Sequence, residues 1–397
     1  MIPSGWNVVE AQEVCKSISV GVVIKPSQYY VKEEEGVKAF RSANVREGFI
    51  NDNDWVYFSY EGHSKNKKSH LRTGDVLIVR TGYPGTACVV TSKYENSNAI
   101  DIIIARPNCE KVIPEYLCVY TNSNIGKSQV LNLQGGMAQK HLNVGAYQEL
   151  KIKLPPLQEQ QKIAKILSTW DKAISTTERL IENSKQQKKA LMQQLLTGKK
   201  RLLDDSGKPF KIEWDETTLS QWLIEYKEKS TIQNQHRIFT SSKSGLIPQD
   251  KYFENSRISD RNNIGFHIIL PGYMTYRSRS DDGFFTFNKF NEEDKGIISH
   301  YYPVFNSKGI NTFFIELFKH FSSIFGKYSV GTSQKVLSFN ALKSISFKIP
   351  KIEEQIKIAQ VLTNADQEID SLEQQLSHLK QEKKALMQQL LTGKRRV

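Results

Sequence analysis

Apolar residues in two long stretches of the chain recur at alternating steps of four and three. Over 358–390 the positions are Ile358, Leu362, Ala365, Ile369, Leu372, Leu376, Leu379, Lys383, Leu386 and Leu390. An earlier stretch keeps the same register with Ile163, Leu167, Trp170, Ile174, Thr177, Ile181, Ser184, Lys188, Leu191 and Leu195. A strict period of 3.5 is the seam of a left-handed coiled coil, whereas the helix of an ordinary globular core drifts toward 3.6. Pro155-Pro156 and Pro350 mark the starts, and Thr197-Gly198 and Thr392-Gly393 the stops. Two unrelated core helices would also fit the apolar faces. Equal length and equal register favour a mutual pair.

The two stretches are also copies. Lys188-Lys189-Ala190-Leu191-Met192-Gln193-Gln194-Leu195-Leu196-Thr197-Gly198-Lys199 returns letter for letter 195 positions later, from Lys383 to Lys394. The same spacing relates Glu159, Gln160, Ile163, Leu167 and Asp171 to Glu354, Gln355, Ile358, Leu362 and Asp366. The chain is one unit written twice.

Between the helices the pattern changes to short strand-like runs separated by Gly, Pro and Asn. In 1–153 these are Trp55-Val56-Tyr57-Phe58, Asp75-Val76-Leu77-Ile78-Val79, Ala87-Cys88-Val89-Val90, Ile102-Ile103-Ile104 and Leu150-Lys151-Ile152-Lys153-Leu154. A helix opening at Pro114 and a polar loop over 134–140 complete this region. Residues 201–348 retrace the plan with different letters: a turn at Leu270-Pro271-Gly272-Tyr273-Met274, a helix over 311–325 and a closing strand over 345–349. The expected parts are therefore 1–153 (domain), 154–200 (helix), 201–348 (domain) and 349–397 (helix). An antiparallel helix pair returns the chain to the first domain and brings the termini together, with one domain at each end of a pseudo-twofold molecule. A parallel pair would require the second domain to span the helix length. The predicted fold is α+β: two pseudo-repeated α/β domains joined by two long helices forming an antiparallel coiled coil.

Charge narrows the function. The 55 Lys and Arg outnumber 42 Asp and Glu, giving +13 and a pI near 9.3, which suits a polyanionic partner. Cys15, Cys88, Cys109 and Cys118 form no C-x-x-C, so neither a zinc site nor a disulfide framework is expected. No secretory signal follows Met1 and no apolar run reaches membrane length, so a soluble cytoplasmic protein with no membrane partner is expected. Enzyme signatures are missing. There is no N-P-P-[YFW] run for a flipped adenine, no Gly-rich nucleotide turn, no Walker A loop and no metal-ligand histidine spacing. The chain reads as a non-catalytic reader with no cofactor and no metal.

The order of parts, the helix entries Leu154-Pro155-Pro156-Leu157-Gln158-Glu159-Gln160 and Ile349-Pro350-Lys351-Ile352-Glu353-Glu354-Gln355, and the turn over 71–85 resemble the specificity subunits of type I restriction–modification systems. The likeness covers essentially the whole chain, with a departure at Gly272-Tyr273, where Gly74-Asp75 fits the family pattern. It implies two target recognition domains, each reading half of a bipartite site on double-stranded DNA. It also implies helices that set the spacing and dock two modification (methyltransferase) subunits and the restriction (translocase and nuclease) subunits.

Base identity is read by Arg or Lys on guanine, Asn or Gln on adenine, and apolar groups on thymine methyls, while phosphate contacts position the protein. The first-domain loops offering such groups carry Arg41, Ser42 and Asn44; Lys65, Asn66, Lys67 and Lys68; Arg80, Thr81 and Tyr83; and Gln139 with Lys140. Those of the second carry Ser241, Ser242 and Lys243; Tyr276, Arg277, Ser278 and Arg279; and Gln334 with Lys335. Strand alternation would place Arg277 and Arg279 on one face. Two other readings stand beside this one: a coiled-coil adaptor without a DNA role, and a non-catalytic fragment of a fused methyltransferase.

Overall fold

A computed structural model describes residues 2–132, 141–243, 245–252 and 262–397. The chain forms two compact units, Met1–Arg179 with Gln374–Val397, and Leu180–Glu373. This division differs from boundaries drawn at the helix entries, because each globular core incorporates the beginning of one long helix and the end of the other. The helices run Leu157–Leu195 and Ile352–Leu391.

In the first unit, the strand Asn7–Glu10 pairs antiparallel with Lys151–Leu154. One four-stranded sheet orders Cys15–Val20, Ile102–Pro107, Val76–Val79 and Ala87–Val89. The other orders Asn98–Ala99, Gly36–Phe40, Val56–Ser59 and Tyr30–Val31. The uninterrupted apolar run Val76-Leu77-Ile78-Val79 follows from burial on both faces. Val76 and Ile78 join the core containing Tyr116, Tyr120, Ile163, Leu167, Leu390 and Leu391, while Leu77 and Val79 join Phe40, Val90 and Ile104. The second unit repeats the plan. Asp215–Thr218 pairs with Ser346–Ile349, beside sheets ordered Leu223–Tyr226, Val304–Ser307, Met274–Tyr276, Phe287–Lys289 and Gly245–Pro248, Arg237–Ser242, Gly296–Ile298, His267–Ile269. Its core is phenylalanine-rich, packing Phe287, Phe305, Phe314 and Phe318 against Leu195, Ile358 and Leu362.

The helix at Pro114 runs Pro114–Asn122. That at Asn311 ends at His320, short of the expected 325. Ser322 and Ser323 are poor continuers, and a 3₁₀ turn Phe325–Tyr328 follows.

Inside each unit the long helices pair antiparallel. In the first, Lys383 bonds Asp171 at 2.5 Å and Lys380 bonds Glu178 at 2.8 Å; in the second, Lys188 bonds Asp366 at 2.6 Å and Lys185 bonds Glu373 at 2.6 Å. Residue numbers fall on one helix as they rise on the other. The seam positions are buried or half-buried, while Gln186, Gln187, Gln193, Gln194, Gln374, Gln375, Gln388 and Gln389 are exposed. Both helices stop at the repeated Thr-Gly. Gly198 and Gly393 have φ of +70°, and backbone bonds reaching back six positions close the turns, Lys200 N to Gln194 O at 3.1 Å and Arg395 N to Gln389 O at 3.2 Å. A side chain is disfavoured in that left-handed conformation, which is why glycine stands there.

The repeated Glu-Gln of each helix entry is buried and fully used. Gln160 accepts from Ile113 N at 2.9 Å and donates to Pro155 O at 2.8 Å; Gln355 accepts from Ile310 N at 3.0 Å and donates to Pro350 O at 2.9 Å. Each glutamine thus ties the domain's own helix to the long one. Glu354 receives Arg201 at 2.8 and 2.7 Å and Trp214 Nε1 at 3.0 Å. Glu159 receives Arg396 at 2.7 and 2.9 Å and Trp6 Nε1 at 3.1 Å. Arg396 also donates to Ser4 O at 3.1 Å, so the first unit holds both chain ends together. Burial would raise the Glu159 carboxyl, but the hydrogen bonds from Arg396 and Trp6 outweigh it and hold the group below its ordinary range.

Candidate nucleic-acid interface

In the first unit, Ser42, Thr81 and Tyr83 come together around a cavity of ≈ 580 Å³, with Arg46 and Thr86 on its wall. Tyr83 is 83% exposed, held on a loop whose Gly82 and Gly85 take positive φ. A phenol presented to solvent in this way has a π-face and a polar tip for a partner. Thr81 is steadied by His141 at 3.0 Å. Lys67 and Lys68 lie on an exposed turn without ion pairs among the described residues.

Several first-domain candidates instead have structural jobs. Arg80 is nearly buried and bonds Asp101 at 2.6 Å, Leu142 O at 3.1 Å and His141 at 2.5 Å, leaving little for an external acceptor. Asn44 is fully buried, accepting from Arg41 N and donating to Asn51 O and Asn53 O. The Asn66 amide caps a short helix through Gly62 O at 2.7 Å, and Lys65 is paired with Glu61. The Arg41 guanidinium donates to Asp54 O. Asn44 and Asn66 share a cause: short polar side chains in loops satisfy the loop's own backbone first, whereas Arg80 and Lys65 are held by neighbouring side chains. Gln139 and Lys140 lie outside the described residues.

The second unit gathers more of its candidates. Ser241, Ser242, Lys243, Arg277 and Arg279 line one cavity of ≈ 440 Å³ together with Asp281, Asp282 and Phe284. Arg277 and Arg279 are both exposed, although Met274–Tyr276 ends before them and a new strand, Arg279–Ser280, begins. That strand pairs with Lys335–Val336, so Lys335 and Arg279 share one two-stranded ribbon. Gln334, preceding it, donates to Asp281 at 3.3 Å. Asp282 accepts from Ser280 Oγ at 2.7 Å, Phe284 N at 3.0 Å and Lys243 Nζ at 3.1 Å, which holds its carboxyl well below the usual range.

Tyr276 is not a reader. Its side chain is fully buried, stacked on Phe287 at 4.8 Å, and its hydroxyl donates to Leu337 O at 2.9 Å. The strand's alternation points it into the core. Ser241 is also buried, accepting from Asn288 Nδ2 at 2.8 Å, and Ser278 donates to Tyr301 O at 2.8 Å. Sequence reasoning did not single out Arg46, Asp281 and Asp282, which line the two cavities. Only the density of charge over 277–282 could have pointed to two of them.

Among the described residues no group of three His, Cys, Asp or Glu side chains could hold a metal, and no helix is long and apolar enough to cross a membrane.

Each unit thus carries a globular domain of the same architecture on an antiparallel pair of helix segments, with polar loops around an exposed cavity, the build of a recognition module. The family model for the type I restriction modification DNA specificity domain matches residues 3–185 and again 216–381, and the chain belongs to that family. It is a specificity subunit with two DNA-recognition domains. Among its relatives are the type I restriction enzyme MjaVIII specificity subunit of Methanocaldococcus jannaschii, 24% identical with 100% of this chain and 94% of that one covered, and the StySPI specificity subunit of Salmonella potsdam, 22% identical with 98% and 88% covered. Among solved structures, the S subunit of M. genitalium aligns over 98% of this chain and 96% of that one at TM-score 0.58 and 13% identity. The HsdS subunit of Thermoanaerobacter tengcongensis aligns over 99% and 98% at 0.50 and 16%. At these identities the structural likeness concerns the fold.

Proposed function

We propose that the two domains each read one half of a bipartite site on double-stranded DNA. The long helices set the spacing and dock two modification subunits, together with the restriction subunits of the same system. The observation carrying this reading is the contrast between repeats. Glu159, Gln160, Ile163, Leu167, Asp171 and the whole run 188–199 recur unchanged 195 positions later, while the exposed cavities carry Ser42, Arg46, Thr81 and Tyr83 in one domain and Lys243, Arg277 and Arg279 in the other. One framework presenting two different polar surfaces suits two different half-sites. The chain supplies recognition, and methylation is the work of the docked subunit. The exposed glutamine pairs on the helices provide hydrogen-bonding faces for that docking.

The test exchanges residues 1–153 for the corresponding domain of another specificity subunit, followed by methylome sequencing of cells carrying the modification subunits. One half-site should change while the other stays. A change in both, or none, would sink independent readout. A chain that methylates without its partners would point to the fused-methyltransferase reading, and one with no salt-dependent DNA binding to the adaptor.

A further inference from the structure

Six residues of the second domain, 277–282, contain two arginines and two aspartates, and proximity alone would pair them. The aspartates are engaged elsewhere. Asp281 receives Gln334, and Asp282 receives Ser280, Phe284 N and Lys243. Arg279 makes no ion pair among the described residues. Its guanidinium instead lies over the ring of Tyr301, 4.8 Å from the centroid. That ring is half-exposed and backed by His300 at 4.1 Å. The backbone is fixed on both sides of the pair. Ser278 Oγ donates to Tyr301 O at 2.8 Å, Leu337 N donates to Ser278 O at 2.9 Å, and Arg279–Ser280 is hydrogen-bonded to Lys335–Val336 as a ribbon.

A ring covering one face of a guanidinium leaves its edge free, and all five N–H donors lie in that edge. Guanine presents O6 and N7 side by side in the major groove, an acceptor pair that such an edge meets with two parallel bonds, and the groove admits a two-stranded ribbon. We infer that Arg279 is the guanine-reading side chain of the second domain and that Tyr301 is its positioning residue. The inference rests on the reading that this domain contacts one half-site. A phosphate contact would use the same charge but gain nothing from a guanidinium held over a ring.

The experiment uses the full chain co-expressed with its modification subunits, with methylome sequencing of wild type, R279A, R279K, Y301F and Y301A. Binding to a duplex carrying the wild-type site is then measured over a salt series. The wild-type second half-site should contain one invariant G·C pair. R279A should make that pair degenerate, with discrimination falling roughly 10–100-fold, R279K should relax it by less because lysine reaches guanine without the planar fork, and both should leave every other position unchanged. R279K keeps the charge and the ribbon, so the outcome stands even if R279A folds poorly. Y301F should keep the wild-type sequence, and Y301A should relax the same pair as R279A. An unaltered half-site in R279A would overturn the inference. So would a uniform loss of affinity in R279A with the salt slope reduced by about one, the mark of a phosphate contact. A wild-type complex that methylates no bipartite site would overturn the proposed function itself, which separates the two failures.

Discussion

The Glu159–Arg396 pair shows how one carboxylate can hold a chain end. It is buried, it accepts three hydrogen bonds, and two of them come from the penultimate residue. Removing the guanidinium with R396A leaves an uncompensated buried charge and should cost the first unit about 2–3 kcal/mol in urea unfolding. The folded carboxyl sits below its ordinary value. Its contribution is therefore complete above about pH 4.3 and is lost as pH falls through the lower folded value. Calorimetry across the acid range should show the first unit's melting temperature falling, and E159Q should flatten that decline. At this scale the sequence was half legible. The spacing of 195 exposed Glu159, Gln160, Glu354 and Gln355 as special, but their partners Trp6, Ile113 and Arg396 are distant in sequence, and no local pattern names them. Tyr276 was misplaced for the opposite reason. An aromatic beside two arginines suggests a binding loop, whereas the phase of a three-residue strand decides that it points inward.

Elements were more legible, because period and punctuation are local signals. Heptads gave both long helices and glycine gave both stops, and the doubly buried strand announced itself as four apolar residues in a row. The strand Asn7–Glu10 was not foreseen, since two valines flanked by Asn and Glu carry no clear alternation. The repeats also differ in how a domain helix grips the long helices. In the second unit Lys188 meets both Asp366 at 2.6 Å and the buried Glu316 at 3.3 Å; in the first, Lys383 meets Asp171, and Thr121, 195 positions before Glu316, bonds Tyr147 instead. K188A should therefore destabilise its unit by about 2–3 kcal/mol, since the buried Glu316 loses one of its two cations and keeps Lys319. K383A should cost about 1 kcal/mol, its partner being partly solvated. Equal losses in chemical denaturation would contradict this account of the asymmetry.

For the molecule as a whole, the proposed spacing role gives a sharp expectation. Four residues inserted after Leu180 add about 6 Å of helix rise and about 40° of rotation. A heptad seam absorbs such a stutter by local unwinding. Base pairs stack at about 3.4 Å, so the methylated sites should gain one or two unread pairs between unchanged half-sites. Unchanged spacing would mean that the helices serve only as docking faces.

The clasp at Glu159 has one more consequence. In the second unit the arginine and tryptophan that close on Glu354 belong to one continuous stretch, 201–214; in the first, the same two groups arrive from opposite ends of the polypeptide. Peptide continuity at that point is thus interchangeable with an ion pair. A circularly permuted gene, joined through a short linker after Val397 and opened at the exposed Ser206-Gly207 turn, should fold and direct methylation to the same sites. Where such a chain starts would then be an accident of the reading frame that the fold does not register.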